Sequence, residues 1–174
     1  MNPELLRLID RFGKEMESVD EIAHVLLKGH LLLEEGISAV LDQYVFHREH
    51  LAQARLTFAQ KALLARSLCL RKNKFGEWEL IAAINALRND LSHRLNSPER
   101  EKKLGVVKDL YFREATGFDR IEEVKKESDA VILFNACAHC AGFLATFEAD
   151  SKSFRRMVHS LDRGMNPDLP EFKL

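Results

Sequence analysis

The sequence predicts an all-α fold, a single-domain helical bundle, and three observations predict it. Proline and glycine are scarce, 4 and 8 in 174 residues. No run alternates apolar and polar residues long enough for a strand, and apolar residues recur instead at spacings of three and four. A chain that is 46% hydrophobic at this length can build a core without covalent staples. The bundle is expected over residues 1–150, with 151–174 a C-terminal tail, partly ordered, that holds two of the four prolines.

Each element follows from its punctuation. Ser18 and Glu21 have the spacing of a capping box, which opens an apolar helix running to about Val45. A second helix is expected from about Glu49 to Leu70, ended by the basic turn RKNKFG, Arg71 to Gly76. The next spans Glu77 to about Leu95, after which Asn96, Ser97 and Pro98 make a break, with Ser97 as N-cap and Pro98 at the first helical position of a helix to about Thr116. A charged stretch, DRIEEVKKESD, leads to the apolar helix AVILFNACAHCAGFLATF, Ala130 to Phe147. That run reaches about the minimum length of a bilayer span. Asn135 and His139 near its middle, and the abundance of alanine, weaken insertion, so it is expected to be buried on most sides within the bundle. Ala138, Ala141, Gly142 and Ala145 are expected to let neighbouring backbones approach closely.

Charge narrows the partners. Lys plus Arg (26) nearly balances Asp plus Glu (27), so no overall field gathers nucleic acid and any polyanion site must be local. Three cysteines, an odd number without a secretory framework, predict a reducing compartment. Charged residues in every turn from Met1 to Asp20 leave no apolar signal segment, which makes the expected location cytoplasmic, without a membrane partner.

The segment ALRNDLSHRLN, Ala86 to Asn96, carries the chemistry. At about 100° per residue, Leu80, Ile84, Leu87, Leu91 and Leu95 form one stripe, while Asn85, Asn89, Ser92, His93 and Asn96 cluster on another side and Arg88 lies at the edge. A solvated face is more simply built from Lys and Glu. An imidazole can move a proton at neutral pH, and a guanidinium can hold two phosphoryl oxygens and offset the charge that grows on them. RNA brings its own nucleophile, the 2′-OH, so cleavage needs a base, an acid and a cation but neither metal nor cofactor. His93 is the one histidine expected on this face; His24, His30, His47, His50, His139 and His159 fall on other elements. A two-fold homodimer would supply the second imidazole. Asn85, Ser92, Arg94 and Asn96 are candidate RNA or anion contacts. Arg71, Lys72, Lys74, Arg100, Lys102 and Lys103 could extend a phosphate track. The interleaved Glu77, Glu99 and Glu101 leave an ordinary solvated surface as the alternative.

The run Arg88-Asn89-x-x-x-His93 resembles the R-x(4-6)-H motif of the HEPN superfamily, helical and commonly dimeric proteins. Many of these are metal-independent endoribonucleases acting as toxins or in phage defence. The resemblance implies that Arg88 and His93 are the catalytic pair, that Asn89 supports them, and that an antitoxin or other regulatory protein is a partner. This chain has Leu95 where one large toxin branch carries tyrosine. A second resemblance is wider: HLLLEEGISAVLDQYV, LTFAQKALLARSL and INALRNDLSHRL are similar in layout to the mannitol-operon repressor family. That one implies a non-catalytic helical regulator.

Other constellations lack what their chemistry needs. Glu21-x-x-His24 has no second such pair for a di-iron site. His47 and His50 have no carboxylate or cysteine cluster to complete a metal shell. Cys137-x-x-Cys140 lies inside the apolar helix, which points to core packing.

Overall fold

A computed structural model describes residue 10 and residues 20–93 and 98–170, the side chains of residues 92 and 93 excepted. Every regular element among the described residues is helical, so the all-α bundle stands. Helix α1, Glu21–Tyr44, is capped by Asp20, whose side chain accepts from the Ala23 N–H at 3.0 Å. The cap is therefore Asp20 rather than Ser18, which lies outside the described residues. The single helix expected from Glu49 to Leu70 is two: α2, Arg48–Gln53, and α3, Phe58–Leu68. Arg55 between them takes φ 48°, a conformation no helix interior can hold. Thr57 then opens α3 through a capping box with Gln60, a signal legible in T-F-A-Q.

The basic turn contains a 3₁₀ turn, Lys72–Lys74, pinned where the Trp78 indole donates to the Lys72 carbonyl at 2.8 Å. Helix α4 runs Glu77–His93, and α5, Pro98–Glu114, has its proline at the first helical position. Ser97 and Leu95 lie outside the described residues. A short α6, Ile121–Val124, precedes α7, Asp129–Met165, which Ser128 caps.

Helices α1 and α7 form the central seam. Gly29 faces Cys137, Gly36 faces Leu144, and Tyr44 meets Ser151, so the two helices run parallel. A Cβ at Gly29 would stand 2.5 Å from the Cys137 sulfur, and one at Gly36 would stand 3.2 Å from Leu144 Cδ1. The backbones approach because α1 lacks side chains there. The expectation for Ala138, Ala141, Gly142 and Ala145 is corrected: all four are exposed residues. The α1-facing side of α7 carries Leu133, Cys137, Cys140 and Leu144 instead, all buried. Helix α7 is long and apolar enough to cross a membrane by length and composition, but it is not buried on most sides. One side packs into the core while Phe134 and Val131 are exposed. Both Cys137 and Cys140 are buried as expected, and burial pushes the Cys137 thiol up to about 12.

The helix expected to stop at Phe147 continues to Met165, so the tail is helical through that residue. Its first turns are structural: Ser151 and Arg155 are buried. The Ser151 hydroxyl bridges the Phe147 carbonyl (2.8 Å) and the Tyr44 hydroxyl (3.2 Å). Arg155 Nη1 donates to the carbonyls of Asp42, Gln43 and Val45 at 2.9, 3.3 and 3.1 Å, and its guanidinium lies 5.2 Å from the Phe46 ring. A cation there satisfies the orphan carbonyls at the end of α1 and complements its dipole.

Candidate functional site

Helix α4 changes character along its length. Leu80, Ile84 and Leu87 are buried as the stripe requires, and Leu91 is half-buried. Trp78 and Ile81 are buried too, and at about 100° per residue they fall on the side that Asn85, Asn89 and Ser92 occupy farther on. This side is thus core near the start of the helix and polar toward its end. It is not a solvent face along its whole length.

Asn85 shows the transition. Its side-chain oxygen lies 3.0 Å from Nε2 of His30 on α1, and an amide oxygen there assigns the ring proton to Nε2. Asn85 is therefore turned inward to the bundle, which removes that oxygen from the RNA contacts expected of it. His30 is buried, with its ring stacked on Phe58 at a centroid distance of 4.1 Å. Burial holds His30 below its ordinary value of 6.5, opposed by the Asn85 bond and reinforced by the charge of Arg88. His30 does lie on another element, as expected, yet it reaches this sector across the bundle through Asn85. The signal was present in α1: Leu26, His30, Leu33 and Ile37 share one buried register, and a histidine there needs a polar partner.

Farther along, Arg88 is half-buried and its Nη1 donates to the Asn89 side-chain oxygen at 3.3 Å. It pairs with no carboxylate among the described residues. Asn89 is exposed. Asp90 points to α5, where Lys103 meets it at 3.0 Å. Residues 92 and 93 continue the helix, their side chains outside the described set along with Arg94 and Asn96. Arg88 and His93 are five residues apart, about 140° around and 7.5 Å along the helix.

The candidate phosphate track is largely committed to acids. Lys72 pairs with Asp150 (2.8 Å), Arg100 with Asp20 (2.6 Å), Lys102 with Glu99 (3.6 Å) and Lys103 with Asp90 (3.0 Å). Arg100 lowers the Asp20 carboxyl chiefly through its hydrogen bond, which ties the start of α1 to α5. What the fold brings together is His30, Asn85, Arg88 and Asn89: an inward polar link and, beside it, a guanidinium that meets no carboxylate among the described residues.

The fold and these residues define an all-helical bundle with an Arg–Asn pair near the end of one central helix. Comparison with known protein families, curated proteins and solved structures returned no match. Both resemblances accordingly rest on the residues quoted for them.

Proposed function

We propose that this protein is a metal-independent endoribonuclease of HEPN type, with Arg88 steadying the phosphate, His93 exchanging the proton, and Asn89 orienting the guanidinium. The observation that carries the reading is Arg88 itself. It is half-buried, bonded to its neighbour Asn89, and paired with no described carboxylate, whereas Glu79 and Asp90 of the same helix are held by Arg113 and Lys103. An arginine held this way keeps most of its donors for an anion. The angular separation of Arg88 and His93 argues for a composite site: a second copy across a two-fold axis would offer its own His93 to the same phosphate.

The test is cleavage of single-stranded RNA in excess EDTA. Cyclic phosphate ends are expected, DNA should be spared, and His93→Ala and Arg88→Ala should each abolish the activity while the helical content is unchanged. Wild-type cleavage by His93→Ala overturns the assignment. Light scattering across a dilution series, alongside activity per chain, tests the composite site, because activity should vanish with the dimer.

A second reading, a non-catalytic regulator that binds a protein, is favoured by the apolar surface. Leu31 and Leu32 of α1 and Phe134 of α7 are each about 60% exposed. Absence of RNA cleavage, together with a protein partner whose binding Leu31→Glu abolishes, would favour it.

A further inference from the structure

A second hollow of the molecule lies on the flank of α7 roughly opposite the α1 seam. A cavity of about 690 Å³ opens there between α7, Tyr111 of α5, the chain through Phe118 and Ile121, and the start of α4 at Phe75 and Glu77. This lies within the size range of small-molecule sites, and the larger part of the lining is aromatic and aliphatic, beside the polar side chains of Lys72, Glu77, Arg120, Asn135, His139 and Thr146. Phe118 and Phe75 are large aromatics left substantially exposed at this site, 59% and 47%.

The polar groups decide the ligand class. Glu77 Oε1 stands 3.4 Å from Nε2 of His139, both side chains largely buried. His139 Nε2 is itself buried without a hydrogen-bond partner. The rings of Tyr111 and Phe118 stand steeply inclined to the imidazole, at 68° and 80°, with centroid distances of 6.0 and 5.7 Å. No lysine or arginine among the described residues pairs with Glu77. The two cations on the wall are already engaged: Lys72 by Asp150 at 2.8 Å and Arg120 by Glu123 at 2.8 Å, and neither acid lines the cavity. Glu77 therefore stands in this aromatic enclosure with His139, at 3.4 Å, as its one ionic neighbour among the described residues. Ring faces attract a cation, and a carboxylate in partial burial strengthens that preference.

We propose that this cavity binds an amphipathic organic cation, a flat apolar body carrying one ammonium group, with the body among Phe75, Tyr111, Phe118 and Phe143 and the ammonium on Glu77. The site is independent of Arg88 and of any reaction there. Gly142 forms part of the wall, and a Cβ built on it meets nothing within 4 Å, so the space above it is open to a ligand.

Isothermal titration of the full chain tests the assignment with three probes of nearly one shape: tryptamine (cationic), 3-ethylindole (neutral) and indole-3-propionate (anionic). Tryptamine is expected to bind, the neutral probe more weakly, and the anion not at all. Glu77→Gln should weaken tryptamine by roughly tenfold and narrow its advantage over 3-ethylindole. Gly142→Leu should fill the cavity and remove binding of every probe while circular dichroism stays that of the wild type. Binding of the anion in preference to the cation overturns the proposal, as does the absence of tryptamine binding. Equal binding by wild type and Glu77→Gln, or by wild type and a folded Gly142→Leu, does the same.

Discussion

The two flanks of α7 use small residues to opposite ends. On the α1 side, Gly29 and Gly36 lie against Cys137 and Leu144, and a side chain at Gly29 has no room. On the other flank, Gly142 faces open space at the cavity wall. Composition alone does not tell these apart. A glycine closes a gap only when another backbone arrives to fill it; otherwise it leaves a hollow. The difference locates tight packing in the seam and spare room on the far flank.

The largest test of this contrast is Gly29→Leu. Its side chain must displace Cys137 across a packed seam, and a loss of about 3 kcal/mol or more is expected in denaturant unfolding. Unfolding at the wild-type midpoint would show that the seam is not tight. Next is Arg155→Met, which keeps the aliphatic stem but strips the donors from three carbonyls at the end of α1. A loss of about 2–3 kcal/mol is expected, and truncation after Asp150 should cost at least as much. If the truncated chain unfolds like the full one, residues 151–165 contribute nothing to the bundle.

A smaller effect sits where α1 meets α4. His30 is held below its ordinary value in the fold, so the unfolded chain takes up its proton first as pH falls. The stability linked to it is fully present above about pH 6.5 and drains away as pH falls below that, until the folded histidine also protonates. Glu34, paired with Lys61 at 2.8 Å, and Arg88 are the charges that bear on it, and they act in opposite directions. His30→Gln can keep a bond to Asn85 and should flatten the acid limb of the stability profile; an unchanged limb would locate that loss elsewhere. The smallest expected change is a gain. Gly142→Ala adds a methyl in open space within a helix and should stabilise by about 0.5–1 kcal/mol, the opposite sign to the change at Gly29.

Much of the architecture was legible in the sequence. The scarcity of proline and glycine, the leucine stripe of α4, Pro98 at a helix start and the burial of Cys137 and Cys140 all follow from local periodicity. The break between α2 and α3 was also legible, in Thr57 and Gln60, but helical periodicity outweighed it over residues 49–70. For the candidate site, the Arg88–Asn89 neighbourhood could be read directly, since both residues lie on one helix. The partner of Asn85 could not.

By itself the sequence determined that the chain is helical and which side of most helices is apolar, because a helix repeats every 3.6 residues and that repeat is written locally. Only the tertiary structure decided which neighbour each side meets. Asn85 reaches a histidine 55 positions away, and Arg155 closes α1 across 110 positions. The small residues of α7 became a cavity wall and an exposed face because glycines in α1 took the close contact instead. Such pairings depend on how whole helices dock, and no local repeat encodes them.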